Sequence, residues 1–117
     1  MPDVLGMLSF QRLDVYQRAI DFLALAIDIV NELPKGHAER ADQLVRAPES
    51  VARNIAEGAG RWSGADRPKH YKIARGEAVE CAASLDVMRV RRVITSQRYD
   101  DGIRLLESVV AMLTKMV

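Results

Sequence analysis

The sequence predicts an all-α protein, an up-down-up-down antiparallel four-helix bundle with a kink or break near Pro48. Three observations carry this. Apolar residues make up 49% of the 117 residues but aromatic ones only 5%, so the core must come from Leu, Ile, Val, Ala and Met, which pack well on helices. Apolar side chains recur at three- and four-residue steps over long windows. Pro34 with Lys35-Gly36, Gly58 with Gly60, and Thr95-Ser96 punctuate those windows, and short corners between helices force antiparallel neighbours.

The first helix is expected over residues 10–33. Leu13, Tyr16, Ile20, Leu23, Ile27, Val30 and Leu33 mark its apolar face, and at about 1.5 Å per residue it spans roughly 35 Å. Pro34 ends it. The second is expected over residues 38–59, with Leu44, Ala47, Val51, Ile55 and Gly58 inward. Pro48 lies inside it, where proline lacks an N–H and clashes with the preceding turn, hence the expected kink or break. Ser63-Gly64-Ala65-Asp66 reads as a capping signal for a third helix running to about residue 94, with Pro68 in its first turn. Tyr71, Ala74, Ala78, Cys81, Leu85 and Met88 should face inward. The fourth helix, residues 97–116, offers Ile103, Leu106, Val110, Leu113 and Met116.

The length fits one domain, residues 10–117, behind a flexible tail at residues 1–9. Cys81 is the only cysteine, so no internal disulfide forms, and the N-terminus lacks the charge and apolar run of a signal peptide. No window is apolar for long enough to cross a membrane. A cytoplasmic protein is expected.

The net charge of +1 hides an uneven distribution. Residues 1–39 hold three basic and six acidic side chains, residues 40–75 eight and four, and residues 76–117 six of each. That polarity suits either an anionic partner for one face or charge matching between neighbouring copies.

Gln43, Arg46, Ser50, Asn54, Glu57 and Arg61 form a polar stripe beside the apolar face of the second helix. Polar residues along a helix often fix register in a bundle, so Asn54, Glu57 and Arg61 read as structural rather than reactive. Gly58 and Gly60 let the helix end and another backbone come close. Gly-x-Gly without a preceding strand or a Lys-Ser pair is no phosphate loop.

The chain resembles the bacterial four-helix bundle proteins encoded within 23S ribosomal RNA intervening sequences, a family similar to the accessory protein of diversity-generating retroelements. The resemblance spans about residues 13–113. It rests on Leu13-Asp14-Val15-Tyr16-Gln17 with Ala19, Leu33-Pro34-Lys35, Gln43-Leu44 with Arg46-Ala47, and above all Ser50-Val51-Ala52-Arg53-Asn54-Ile55-Ala56-Glu57-Gly58 with Gly60-Arg61 and Ser63. His70-Tyr71, Ile73-Ala74-Arg75-Gly76 and Glu80 complete it. Val45, Pro48 and Glu77 depart from the pattern, standing where an arginine, a small helix former and a serine are usual. The resemblance implies a homo-oligomer, a ring of five bundles, and in the retroelement relatives a basic scaffold for nucleic acid and a reverse transcriptase.

Arg61, Arg67, Lys69, Lys72 and Arg75 are opposed only by Asp66 around one corner. They read either as a solvated face or as a phosphate-binding patch for RNA or DNA, whose affinity would fall steeply with salt. With few aromatics to stack on bases, any such binding would tolerate any sequence. Arg89, Arg91, Arg92 and Arg98 form a second basic group, suited to solubility or to pairing with the acidic first helix of a neighbouring subunit. His37 and His70 read as surface or capping residues, Cys81 as a buried small hydrophobe, and Trp62 as an anchor at a corner or subunit interface. The residues three before the histidines are Pro34 and Arg67, so the Glu-x-x-His signature of di-iron bundles is missing and no metal or other cofactor is expected. No histidine is expected near a carboxylate, and the chain reads as a non-enzyme. Two functions remain open. One is an oligomeric scaffold that binds nucleic acid without sequence preference; the other is a protein–protein interaction module whose charges serve self-assembly and a protein partner.

Overall fold

The computed structural model describes residues 8–61 and 64–117. A 3-10 helix, Ser9–Arg12, leads into four α-helices: α1 (Asp14–Asn31), α2 (Ala38–Ala59), α3 (Arg67–Val90) and α4 (Ser96–Met116). Each helix packs on its neighbours in the cycle α1, α2, α3, α4 and back to α1, so α1 and α3 lie diagonally across the bundle. Asn54 meets His70, Arg75 meets Thr114, and Arg98 meets Glu32, pairings that show the three helix pairs running antiparallel. The fold is the expected up-down-up-down four-helix bundle.

The single first helix expected over residues 10–33 is divided. Leu13 is extended (φ −70°, ψ 130°), separating the 3-10 turn from α1. The Gln11 side chain accepts from the Leu8 amide, and Gln17 donates to the Gln11 carbonyl, so the 3-10 turn is held by its own polar atoms. Gly36 turns the first corner with φ +96°, a conformation that suits glycine. Of the expected tail at residues 1–9, residues 1–7 lie outside the described residues, and Ser9 opens the 3-10 turn.

Helix α2 has the expected bounds and is not broken at Pro48, which is buried inside it. The proline removes only the hydrogen bond to the Leu44 carbonyl, and the core contact of its ring offsets that loss.

Helix α3 stops at Val90, short of the expected end near residue 94. Arg92 adopts φ 60°, its amide donates to the Arg89 carbonyl and the Val93 amide to that of Met88. This is a Schellman closure with an arginine where glycine is usual, and Val93 folds back onto the core. At the start of α3, Asp66 occupies the cap position without a side-chain bond. The Ser63 part of the expected capping signal, like Trp62, lies outside the described residues. Thr95 caps α4, its hydroxyl accepting from the Arg98 amide at 3.1 Å.

Tyr71, Ala74, Ala78, Cys81, Leu85 and Met88 of α3 are buried, as their spacing predicts. Helix α1 corrects its expectation. Its buried residues are Val15, Ala19, Phe22, Ala26 and Ile29, whereas Leu13, Tyr16, Leu23 and Val30 are half-buried and Ile20 and Ile27 exposed. Both sets run at three- and four-residue steps. The alanines of the inner set let α2 and α4 approach closely, and the bulkier set is left on the rim.

Candidate functional site

The polar stripe of α2 faces α3. Ser50 donates to Glu77 Oε1 at 2.8 Å, and the Asn54 amide nitrogen donates to the Ser50 carbonyl at 3.0 Å and approaches Glu77 Oε1 at 3.4 Å. Asn54 Oδ1 lies 3.2 Å from His70 Nδ1, and Glu57 Oε2 lies 3.5 Å from the same nitrogen. Both neighbours are oxygen acceptors, so the tautomer with its proton on Nδ1 fits. Glu57 also pairs with Arg61 at 3.4 Å. The seam thus links Ser50, Asn54, Glu57 and Arg61 to His70 and Glu77.

His70 therefore corrects two expectations. Its side chain is 14% exposed, inside the seam rather than on the surface, and it stands beside a carboxylate. Asn54 and His70 are equidistant from residue 62, so folding the sequence about that corner in antiparallel register would have paired them. Glu77, noted in the sequence only as a departure from pattern, ties α3 to Ser50. An open groove of about 560 Å³ runs beside the seam, lined by Glu39, Asp42, Arg46, Ser50, Arg53 and Glu77.

The two glycines behave differently. A Cβ on Gly58 would stand 2.7 Å from Tyr71 Cε1, in the buried ring that α3 sets against α2. What approaches is a side chain, not a backbone. Gly60 has φ −84°, and a Cβ there would meet only carbonyl oxygens of its own helix at 3.5 Å and beyond. Its conformation does not require glycine.

The basic residues gather at one end. Arg67 Nε donates to the Arg61 carbonyl at 3.1 Å, bridging the gap between α2 and α3, and Arg75 Nε donates to the Thr114 hydroxyl at 2.7 Å, joining α3 to α4. Lys69 and Lys72 are exposed on the first turns of α3. The antiparallel topology sets Lys115, in the last turn of α4, and Arg12 at this same end. Asp14, Glu57 and Asp66 are its acids, and Glu57 is paired with Arg61.

A family model for the 23S rRNA-intervening sequence protein matches residues 11–115. The chain belongs to the 23S rRNA-intervening sequence protein family. Comparison with curated proteins gives no match.

In this member of the 23S rRNA-intervening sequence protein family two residues of the second basic group, Arg89 and Arg98, have side-chain partners within the chain. Arg98 pairs with Glu32 at 2.8 Å and Asp28 at 3.9 Å, joining the start of α4 to the end of α1. That contact holds the Glu32 carboxyl below its usual range. Arg89 lies 4.0 Å over the Tyr99 ring, and the Tyr99 hydroxyl donates to Asp86. Cys81 is buried, and its thiol is pushed up to about 12 by burial first, then by Glu77 and Glu80. A thiol so held is a poor nucleophile. Among the described residues no three His, Cys, Asp or Glu side chains gather as a metal site, and no helix is long and apolar enough to cross a membrane.

Proposed function

We propose that this family member is an oligomeric helical scaffold, five copies on the resemblance set out above, whose basic end takes up the phosphate backbone of nucleic acid without reading its sequence. In this reading it works in the cytoplasm and catalyses no reaction. The observation that supports it is the convergence of Arg61 and Arg67 through one hydrogen bond, with Lys69 and Lys72 outward beside them and Lys115 and Arg12 at the same end. Such a cluster binds phosphate by charge, releasing counterions, while the scarcity of aromatic side chains leaves little for base stacking. Retention of the intact protein on a polyanion column at low salt tests it, with weaker retention expected for the Arg67→Gln/Lys69→Gln/Lys72→Gln variant. A wild-type protein that flows through at low salt overturns it.

One observation favours a second reading, a protein–protein interaction module with no nucleic-acid role. Arg61, Arg75 and Arg98 are all engaged by partners within the chain, which reduces the charge free to meet phosphates. This reading expects flow-through on the polyanion column and an assembly that loosens when charge is reversed on α1.

A further inference from the structure

One carboxylate oxygen is shared where the α2–α3 seam meets the basic end. Glu57 Oε2 lies 3.4 Å from the Arg61 guanidinium and 3.5 Å from His70 Nδ1. A guanidinium is always charged in water, whereas an imidazole changes charge between about pH 5 and 8. With His70 neutral, Glu57 offsets Arg61 and the three side chains sum to zero. With His70 protonated, the same carboxylate serves two cations and the three carry one positive charge. Glu57 and Arg61 are exposed, so that charge stands at the surface, while the imidazole is half-buried and held by Asn54 Oδ1 at 3.2 Å. The remaining charges around His70 come from every element at this end. Its own helix sets Asp66 and Arg67 one turn before it, Lys69 beside it and Glu77 two turns on; α4 brings Lys115, and the 3-10 turn and the start of α1 bring Arg12 and Asp14. None of these is an imidazole. The second of the chain's two histidines, His37, precedes α2 at its far end, roughly 30 Å away by the rise of its 22 residues.

We infer that His70 is a proton-linked control of the basic end: protonating it strengthens the uptake of a phosphate backbone, and a bound phosphate in turn draws a proton onto it. The inference rests on the nucleic-acid half of the proposed function and supplies its regulation. Because the contacts of Arg61 and His70 end on one oxygen, the guanidinium lies within a Debye length, about 8 Å at physiological salt, of the imidazole. Arg67 belongs to the same corner, three residues before His70 on the helix and bonded through Nε to the Arg61 carbonyl at 3.1 Å. A phosphate taken up by Arg61 and Arg67 therefore feels the charge on His70. The sign is fixed: affinity rises as pH falls, since the added charge is positive and the ligand is an anion. Attraction across such a distance at a protein surface amounts to about three- to tenfold in affinity. The coupling is reciprocal, so phosphate changes the proton affinity of His70 by the same factor.

The test is the affinity of the full chain for a short labelled oligonucleotide at low salt, at about pH 7.5 and about pH 5.5, on either side of the histidine range. Wild type, His70→Asn and His37→Asn are compared. Asparagine can set an amide N–H near the place of Nδ1–H, and it carries no charge at any pH. The readout is the ratio of the two affinities within each protein, which a uniform loss of binding does not move. Wild type and His37→Asn should bind about three- to tenfold more tightly at the acid pH, and His70→Asn should lose that gain. Equal gains in wild type and His70→Asn overturn the inference while leaving nucleic-acid binding in place. A wild type that binds at neither pH overturns the nucleic-acid reading itself, which separates the two failures. If His70→Asn loses its helical circular dichroism, the wild-type imidazoles are titrated by nuclear magnetic resonance with and without the oligonucleotide. The oligonucleotide should raise the titration midpoint of His70 by about half to one pH unit and leave that of His37 in place. An unmoved His70 midpoint overturns the inference.

Discussion

Asn54 Oδ1 on α2 and His70 Nδ1 on α3 meet at 3.2 Å, while the amide nitrogen of the same asparagine turns the other way to the Ser50 carbonyl at 3.0 Å. One side chain therefore ties its own helix to the next. Asn54→Ala leaves His70 and Glu77 short of a half-buried partner, and the expected loss is about 1–2 kcal/mol. Asn54→Asp keeps the acceptor for His70 but turns a carboxylate oxygen toward Glu77, and should also destabilise. Urea unfolding followed by circular dichroism checks both; unchanged midpoints would mean that the seam contributes no stability.

Gly58 and Gly60 should part company on substitution by alanine. Gly58→Ala drives a Cβ into the buried Tyr71 ring, so an overpacking cost of about 1–3 kcal/mol should outweigh the gain of about 1 kcal/mol in helix propensity. Gly60→Ala should be neutral or stabilising by up to about 1 kcal/mol. Thermal melts of the two variants, run side by side, read the contrast.

Arg92 closes α3 with φ 60°, a conformation costing a non-glycine residue on the order of 1 kcal/mol. Arg92→Gly should raise stability by about 0.5–1 kcal/mol even though it removes a surface charge. A lower melting temperature for the glycine variant would contradict this.

The buried Cys81 thiol makes stability fall in alkali. Its folded value of about 12 stands above the ordinary 9.0, so above about pH 9 the unfolded chain loses a proton that the folded chain keeps. Stability should therefore drop by up to about 1.4 kcal/mol per pH unit between about 9 and 12. Comparing wild type with Cys81→Ala at pH 8 and pH 10 isolates the effect. Alanine should lose about 1 kcal/mol less over that interval.

Polyanion affinity should fall linearly with the logarithm of salt concentration. The Lys69→Gln/Lys72→Gln variant should lower that slope by about two, one for each phosphate contact removed. Fluorescence titration of a labelled oligonucleotide at several salt concentrations measures it, and equal slopes would remove these lysines from the interface.

The sequence by itself determined the number of helices, their corners and the bounds of α2, because proline, glycine and a capping threonine act locally on the backbone. It also determined the inner face of α3, where Tyr71, Leu85 and Met88 outweigh any competing set. The polar stripe holding Asn54, Glu57 and Arg61 was legible as a set, since its spacing places these residues along one side of a helix. Tertiary structure decided the rest. Helix α1 carries two apolar sets with the same spacing, and periodicity cannot choose between equal periods; the fit of Ala19 and Ala26 against neighbouring helices chose the smaller set for the core. The place of His70 shows only when α2 and α3 are set in antiparallel register, for its partners Asn54 and Glu57 lie on the other helix. Arg92 ended α3 without a glycine because Val93 could fold back on the core. In each case the deciding contact is with a residue distant in the chain, and it exists only once the helices have packed.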